Sequence, residues 1–401
     1  MKIVILGGGA QMAKPAAQYL ATKDEVKELV LADINFARVN EFAKELGPKA
    51  TAQVVDVKNK EDVVEKMNGA TLVMNFIGPY YQFGTKTLET VIEAGIHYLD
   101  ICDDYDTTTE ALKLSEKAKE KGVTALIGMG ASPGITNVLA RLGSDAIDTV
   151  EEINTYWVVG DAEPGGFGAL VHLFHCIDGT VPTFRNGSFE NIQPYQLETS
   201  RDIDFGEPVG KVKLYHIGHP EPVTLPKFIP NVKTVTNFGA ILPQYQNVLF
   251  KTLVDFGLAS EKPIAFKNEE VAPLEFLLAM LRDKQSKDSE QKRPARKSVG
   301  ASRVEVIGKT TTGKKASYTF TKSSYETMAN STSLPAGVAA WHIVNGKINK
   351  KGVIPPECIN PQALLLDLRE AGLFEANGDY KVVQQIGLET KTTTLFESDL
   401  F

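Results

Sequence analysis

This sequence of 401 residues has few cysteines, no long apolar run and no excess of positive charge. Its three cysteines, Cys102, Cys176 and Cys358, are widely spaced and form no CxxC pair, which excludes a disulfide scaffold and indicates reduced thiols. No apolar run reaches the ~18 residues of a transmembrane helix, so we expect no contact with a membrane. Lysine and arginine total 43 against 50 acidic residues, and the resulting net charge of −7 disfavours nucleic-acid binding.

The apolar content is that of an ordinary globular protein. Hydrophobic residues make up 43% of the chain and charged residues 23%, which provides enough material for a core and excludes a disordered or fibrous protein. At roughly 100–200 residues per domain, the length predicts two or three domains. An apolar segment begins directly after Met1-Lys2 and leaves no room for a signal peptide, so we expect a cytoplasmic protein.

The first third of the chain alternates short apolar segments with amphipathic ones. The apolar segments are typical of parallel strands buried on both faces, and the segments between them have the period of a helix. The predicted strands span residues 2–6, 29–32, 53–56, 71–77, 98–102 and 123–127. Six strands alternating with helices predict an α/β fold with an N-terminal doubly wound parallel sheet of the Rossmann type.

A glycine turn follows the first predicted strand, in the segment Gly7-Gly8-Gly9-Ala10-Gln11-Met12-Ala13. A pyrophosphate binds to backbone N–H groups at the start of a helix, where side chains must not block it. Gly7 suits the tight turn and Gly9 the close approach, and we assign Ala10, Gln11 and Met12 to the same site. Met12 replaces the third small residue of the usual fingerprint. The alternative is a glycine turn without a ligand.

Asp33 lies 24 residues after Gly9, at the end of the second predicted strand. A carboxylate at that place accepts hydrogen bonds from both ribose hydroxyls and repels a 2′-phosphate, so we predict NAD as the cofactor. Arg38 is close enough along the chain to leave NADP possible.

Three further turns follow predicted strands four, five and six, at residues 75–81, 100–105 and 130–137. In an open parallel sheet such turns line the ligand crevice. The residues that we assign to the cofactor, besides those above, are Asp56, Val57, Asn75, Ile77, Gly78 and Pro79. Those that we assign to the substrate are Tyr81, Asp103 and Ser132. The alternative is that these turns contain only helix caps and tight connections.

The glycine turn, Asp33, the turn at residues 75–79 and above all Ser132-Pro133-Gly134-Ile135-Thr136-Asn137 resemble the saccharopine dehydrogenase-like superfamily. Its members include saccharopine reductase, lysine 6-dehydrogenase and carboxynorspermidine dehydrogenase. The resemblance implies oxidation of a C–N bond by a nicotinamide cofactor, commonly in a homodimer. Several members carry aspartate where this chain has Ser132, which is a departure from saccharopine chemistry.

The resemblance also implies the division of the chain. We expect an NAD(P)-binding Rossmann domain at residues 1–135 and an α/β substrate-binding and dimerisation domain at 136–345. Residues 346–401 are then a C-terminal segment that packs back on the first domain. Longer strands and a predicted hairpin, at 304–307 and 316–320, agree with a change of architecture after residue 135.

Amine oxidation needs a group that manages the proton on nitrogen. Asp103 and Asp104 are adjacent, so like-charge repulsion raises the pKa of one of them. We predict Asp104 or His172 as the proton-transfer group and Tyr80 as a catalytic hydrogen-bond donor. A helix cap with a solvated neighbour is the alternative for the acidic pair.

His172 and His175 are three residues apart, which places both rings on one helix face beside Cys176. We assign His175 and Arg185 to the substrate, with a packed histidine and an exposed turn as the respective alternatives. Zinc needs four ligands, and we predict no metal because the turn at Gly218-His219-Pro220 fixes no further ligand.

We therefore predict an NAD(P)-dependent oxidoreductase that acts on the CH–NH group of an amino-acid-like substrate such as lysine or saccharopine. The alternatives are a dehydrogenase of a small alcohol or semialdehyde, and a nucleotide-binding module without turnover.

Overall fold

The computed structural model describes residues 1–160, 167–290, 297–374 and 378–401. The first part of the chain contains six short strands that alternate with helices. The strands are β1 (Lys2–Leu6), β2 (Glu28–Asp33), β3 (Ala50–Val54), β4 (Leu72–Asn75), β5 (His97–Asp100) and β6 (Thr124–Leu126). The helices are α1 (Lys14–Ala21), α2 (Phe36–Leu46), α3 (Lys60–Lys66), α4 (Tyr80–Glu93), α5 (Tyr105–Lys113) and α6 (Ser115–Glu120), with a 3₁₀ turn at Gln11–Ala13.

Longer strands follow α7 (Ile135–Asp145). The strands of this part are β7 (Thr149–Gly160), β8 (Val181–Arg185), β9 (Ser188–Ile192), β10 (Arg201–Asp204), β11 (Lys211–His216), β12 (Thr234–Leu242), β13 (Ile264–Phe266), β14 (Glu269–Val271), β15 (Gly300–Lys309) and β16 (Lys315–Ser324). The helices of this part are α8 (Phe167–Ile177), α9 (Glu221–Phe228), α10 (Tyr245–Asp255), α11 (Pro273–Glu290) and α12 (Met328–Val344). The chain ends with β17 (Gly352–Ile354), α13 (Pro361–Glu370), β18 (Lys381–Ile386) and β19 (Glu389–Thr394), and with 3₁₀ turns at Pro356–Cys358 and Leu395–Glu397.

The first sheet is parallel, with the strand order β17-β6-β5-β4-β1-β2-β3. The order reverses between β1 and β4, which pair directly, and this reversal opens a crevice at the carboxyl ends of the strands. Apolar side chains bury both faces: Ile3 and Ile5 face one cluster, and Val4 and Leu6 face the other. The doubly wound sheet predicted from the sequence is confirmed.

Local signals in the sequence set the ends of these elements. Asn35 caps α2 by accepting a hydrogen bond from the Arg38 N–H, and Gly47 ends that helix with a positive φ of 89°. Strand β4 is shorter than the predicted segment 71–77, because the Asn75 side chain accepts the Ile77 N–H and turns the chain away from the sheet.

The second sheet has the strand order β10-β11-β12-β7-β15-β16-β18-β19, with β8 and β9 attached beside β12. Strands β12 and β7 run parallel, and the other neighbours are antiparallel. The predicted hairpin at 304–320 is the centre of the longer hairpin β15–β16.

The C-terminal segment divides between the two sheets. Strand β17 joins the first sheet beside β6, whereas β18 pairs with β16 and extends the second sheet. The expectation that residues 346–401 pack on the first domain is therefore corrected for β18 and β19. Val382 of β18 is buried and completes the core of the second sheet.

One hydrophobic cluster joins the two sheets. It continues from Ile3 and Leu31 of the first sheet through helices α7 and α12 to Val304 and Phe320 of the second. The joint is tight where α12 crosses α1, since a methyl group on Gly337 would lie 2.9 Å from the Ala16 Cα. Among the described residues, no helix is long and apolar enough to cross a membrane.

We expect Gly337→Ala to lower the free energy of unfolding by about 1–3 kcal/mol, because the added methyl group meets the rigid backbone of α1. Urea denaturation followed by tryptophan fluorescence measures this change. Gly168→Ala is the matched control, because that helical position has no atom within 4 Å of an added methyl group. Equal stability of the Gly337→Ala variant and the wild type would contradict the tight crossing.

Candidate active site

The turn after β1 leaves backbone uncovered at the sheet crevice. Gly7 has a φ of +74°, and a Cβ there would lie 2.9 Å from the Phe76 carbonyl carbon. A Cβ on Gly9 would lie 3.0 Å from Asp33 Oδ2. Glycine is therefore required at position 7, and at position 9 a side chain would crowd the Asp33 carboxylate, so the turn keeps the open approach that a pyrophosphate needs.

Asp33 is fixed beside this turn by two backbone donors. Its Oδ2 accepts the Gly9 N–H at 3.1 Å, and its Oδ1 accepts the Asn35 N–H at 2.9 Å. Ala13, which is completely buried, supplies the close packing that the fingerprint usually takes from its third small residue, so Met12 does not disrupt the turn. These residues fit a dinucleotide with its adenosine ribose next to Asp33.

The other residues assigned to the cofactor divide into two groups. Asp56 and Val57 follow β3 at the same edge of the sheet, and Asp56 Oδ1 accepts the Lys58 N–H at 2.9 Å. Asn75 instead turns inward, where its Nδ2 donates to Tyr98 Oη at 3.1 Å. Asn75 thus holds the turn that presents Ile77, Gly78 and Pro79, and its own side chain is not open to a ligand.

Tyr80 also serves the turn. Its hydroxyl donates to the Asn75 carbonyl at 2.8 Å, and the side chain is buried. Burial raises the pKa of Tyr80 well above its ordinary value. The structure therefore does not place this hydroxyl in the crevice, which corrects the predicted catalytic role.

An imidazole held between two carboxylates lies across the boundary between the two domains. His172 Nδ1 is 2.6 Å from Asp104 Oδ1, and His172 Nε2 is 3.2 Å from Asp103 Oδ2. Asp104 is fully buried, and its second oxygen accepts the Tyr81 N–H at 2.9 Å. Burial alone lowers the pKa of His172, but the two carboxylates outweigh burial and raise it well above its ordinary value. Both ring nitrogens face carboxylate oxygens, which favours the imidazolium form, and His172 thereby joins α8 to the turn after β5.

His175 lies one helical turn further along, at the mouth of the crevice. Its Nε2 is 3.0 Å from Asp106 Oδ2, and its ring stacks on Tyr81 at a centroid distance of 4.3 Å. Burial alone lowers the pKa of His175, but Asp106 outweighs burial and raises it. Tyr81 and His175, which are both assigned to the substrate, therefore lie together at this edge, and the Tyr81 hydroxyl also contacts Glu261.

Ser132 belongs to a buried network that the sequence did not reveal. Its hydroxyl donates to Glu221 Oε1 at 2.5 Å, and Thr136 donates to the same oxygen at 2.9 Å. His219 Nδ1 is 2.5 Å from Glu221 Oε2. His219 and Glu221 stand in a short turn without periodicity, and a histidine two residues before a glutamate was their only sequence signal.

A second buried carboxyl group, Glu357, supports the same loop. Its Oε2 accepts the Asn137 Nδ2 at 2.9 Å, while Asn137 Oδ1 accepts the Gly134 N–H at 3.0 Å. Glu357 Oε1 has no hydrogen-bond partner within the described part of the chain. Burial raises the pKa of Glu357 to about 7.

Arg185 lies on the face of the second sheet that points away from the crevice. Its Nη2 is 2.7 Å from His216 Nε2, and the His216 ring packs on Phe238 at 3.9 Å. Phe238 stacks on Tyr156, whose neighbour Trp157 lies against His219. Because consecutive strand residues point to opposite faces, Arg185 is away from the crevice, which corrects its assignment to the substrate.

The Asp104, His172 and Cys176 side chains form the one described group whose spacing is close enough for a metal ion. Cys176 Sγ is 3.5 Å from His172 Nδ1 and 3.3 Å from Nε2, so the sulfur lies beside the ring and not along either lone pair. Burial raises the pKa of Cys176 to about 12, which disfavours the thiolate that zinc requires. That no metal binds stays a prediction.

The raised pKa of Glu357 predicts a dependence of stability on pH. An unfolded glutamate titrates near ~4.3, so the folded protein binds this proton more tightly and loses stability as the pH rises from ~4.3 to about 7. We expect Glu357→Gln to gain up to ~3 kcal/mol of stability relative to the wild type between pH 5 and pH 8.

Denaturant unfolding at the two pH values measures this gain. Glu389→Gln on the exposed strand β19 is the matched control, and its stability should follow that of the wild type. A constant difference between Glu357→Gln and the wild type at both pH values would contradict the raised pKa.

Comparison with known proteins identifies the family of this chain. The model of the saccharopine dehydrogenase NADP-binding domain matches residues 3–126, and that of the saccharopine dehydrogenase C-terminal domain matches residues 177–373. Carboxyaminopropylagmatine dehydrogenase of Synechocystis sp. is 25% identical over 93% of this chain and 96% of its own length. Carboxynorspermidine synthase of Vibrio cholerae is 24% identical over the same shares, 93% and 96%.

A solved structure agrees with this result. Apo saccharopine dehydrogenase (L-Glu forming) from Saccharomyces cerevisiae superposes with a TM-score of 0.68, at 16% identity, over 98% of this chain and 100% of that one. At this identity the likeness establishes the fold. The two domain matches go further and confirm the predicted resemblance: the chain belongs to the saccharopine dehydrogenase family and is an NAD(P)-dependent oxidoreductase of that family.

Proposed function

We propose that this enzyme acts on the CH–NH bond of a carboxyalkylated polyamine, by oxidising the secondary amine or by reducing the corresponding imine. Two relatives that match more than nine-tenths of the chain are named for such compounds. The substrates predicted from the sequence, lysine and saccharopine, are also amines, so the type of reaction is the same for them and for a carboxyalkylated polyamine. The difference lies in the charge of the substrate.

The observation that carries the proposal is the negative charge around the crevice. Asp103, Asp104 and Asp106 lie on the side of the first domain, and Glu221 and Glu261 lie on the side of the second. Four of these carboxylates, all except Glu261, are paired with three histidines, whose combined charge does not exceed theirs. Anionic walls favour a substrate with several ammonium groups over saccharopine, which is rich in carboxylates.

Asp104 and His172 are best suited to fixing this arrangement. Both oxygens of Asp104 and both ring nitrogens of His172 already have partners. We therefore propose that the pair sets the charge and the separation of the two domains at the crevice. Bound NAD(P) supplies the hydride acceptor or donor.

The homodimer is also a proposal. Helices α10 and α11 share a buried apolar cluster, and large apolar side chains are exposed on these helices, on the turn after α10 and on β13: Tyr245, Phe256, Phe266, Phe276 and Met280. Exposed apolar side chains that lie next to one another are typical of a protein–protein interface.

A panel of substrates tests the proposed function. We expect kcat/KM to be at least ~10-fold higher for a carboxyalkylated polyamine than for saccharopine or lysine, which corresponds to ~1.4 kcal/mol of transition-state binding. Absorbance of NADH or NADPH reports turnover. A preference for saccharopine would contradict the charge argument, turnover only of an alcohol or semialdehyde would contradict the reaction type, and cofactor binding without any turnover would favour a nucleotide-binding module.

Asp33 tests the preference for NAD. We expect Asp33→Ala to weaken NAD binding by ~1–3 kcal/mol, since a charge-assisted hydrogen bond to the ribose is lost. NADP binding to the same variant is the internal control and should be equal or tighter, because a negative charge next to its 2′-phosphate is removed. Calorimetry measures both affinities. Equal NAD affinity before and after, or tighter binding of NADP than NAD by the wild type, would contradict the assignment.

A further inference from the structure

A sharp turn after β11 brings a histidine and a glutamate to the crevice. The chain leaves β11 at His216 and starts α9 at Glu221, with Pro220 between His219 and the helix. Glu221 occupies the first turn of α9, where a carboxylate is stabilised by the uncompensated N–H groups of the helix. Both side chains are buried, His219 at 3% and Glu221 at 0% exposure.

Glu221 is held as a carboxylate. One oxygen accepts the Ser132 and Thr136 hydroxyls, and the other faces His219 Nδ1. Burial alone raises the pKa of Glu221, but His219 and Ser132 outweigh burial and lower it. A carboxylate in this position fixes the histidine ring and selects the tautomer with the proton on Nδ1.

The second nitrogen of His219 is available. Within the described residues, Nε2 of His219 makes no hydrogen bond, whereas both nitrogens of His172 contact carboxylates. The His219 ring packs against Trp157 at a centroid distance of 5.7 Å and meets His172 edge-on at 6.1 Å. His219 therefore has a free lone pair, which His172 lacks. His175, at the mouth of the crevice, also contacts a carboxylate through one nitrogen only, but its ring is stacked on Tyr81, whereas His219 lies edge-on beside His172.

We propose that His219 is the proton-transfer residue and that Glu221 is its positioning residue. The inference rests on the proposed function, since it assigns the base for amine oxidation. His219 Nε2 takes a proton from the ammonium form of the secondary amine, which frees the nitrogen lone pair. That pair forms the C=N bond of an iminium ion while the C–H bond breaks and its electrons leave as hydride to bound NAD(P)⁺. Imine reduction runs through the same steps in reverse.

The charged groups that face His219 come from three elements, and a fourth acts on its partner Glu221. They are Glu221 on α9, Asp103 after β5 and His172 on α8, and Glu357 after β17 acts on Glu221 from behind. Because His219 acts as a base in oxidation and as an acid in imine reduction, the rate of oxidation should fall at low pH and the rate of reduction at high pH.

The variant His219→Asn tests the role directly, because an asparagine amide can still donate to Glu221 but lacks Nε2. We expect kcat for amine oxidation to fall by ~10²–10⁴ and the low-pH limb of the profile to disappear. NAD(H) affinity, measured by calorimetry, should change less than about twofold. Glu221→Gln should shift the same limb, whereas Glu221→Asp, which keeps the charge, should restore part of kcat.

His342→Asn is the matched control. That histidine is equally buried and bound to a carboxylate, Asp367, but it lies where α12 meets α13. Its loss should leave kcat and the pH profile unchanged. A His219→Asn enzyme with the rate and profile of the wild type would overturn the proposal.

A measurement without turnover separates this proposal from the proposed function. In ¹⁵N-histidine spectra of the wild type, we expect the neutral ring of His219 to carry its proton on Nδ1 and to have a bare Nε2. The signal is assigned by its loss in His219→Asn or, if that variant does not fold, by elimination with variants of the other five histidines. A proton on Nε2 would overturn the role of His219 whatever the substrate. Turnover of an alcohol alone would overturn the amine substrate, and the variants would then be judged on that alcohol.

Discussion

The ionic contact of His172 with Asp103 and Asp104 is the polar interaction on which the arrangement of the crevice depends. His172 comes from the second domain, and Asp103 and Asp104 come from the turn after a strand of the first. Removing one partner from a buried ion pair typically costs ~3–5 kcal/mol, because the remaining charge stays buried without compensation. Apolar packing joins the two sheets through α7 and α12, but it does not choose which polar groups meet. In our proposal, the contact between His172 and the two aspartates determines which polar side chains of the two domains face each other across the crevice.

The first domain could be predicted from the sequence because its signals are local. Continuous apolar strands, helical periods and glycine stops each depend on a few neighbouring residues, as at Asn35 and Gly47. Strand β17 and the pair β18–β19 could not be placed in the same way. Gly352 pairs with Thr124, and Val382 pairs with Phe320, so their positions depend on partners far away in the chain.

The candidate site shows the same division. Asp33, Asp103, Asp104 and Ser132 follow strands, and the fold brings all such turns to one edge. His172 was found because a helical spacing is visible in the sequence. Tyr80 and Arg185 were misplaced because spacing does not reveal direction: the Tyr80 hydroxyl turns back to a carbonyl, and Arg185 is on the far face of its sheet. The roles of His219 and Glu221 in the crevice could not be predicted, because Ser132 and Thr136, which hydrogen-bond to Glu221, lie more than 80 residues earlier in the chain.

His172 and His219 show how the environment gives different properties to chemically identical side chains. His172 has carboxylates at both nitrogens and keeps its charge, so it can order the site but has no lone pair to offer. His219 has a carboxylate at one nitrogen only, which fixes its ring and leaves the other nitrogen free. The charge that holds His172 also leaves the crevice acidic. The ammonium groups of the proposed substrate would neutralise these carboxylates, and the nitrogen to be oxidised would then lie next to His219, the proposed proton acceptor.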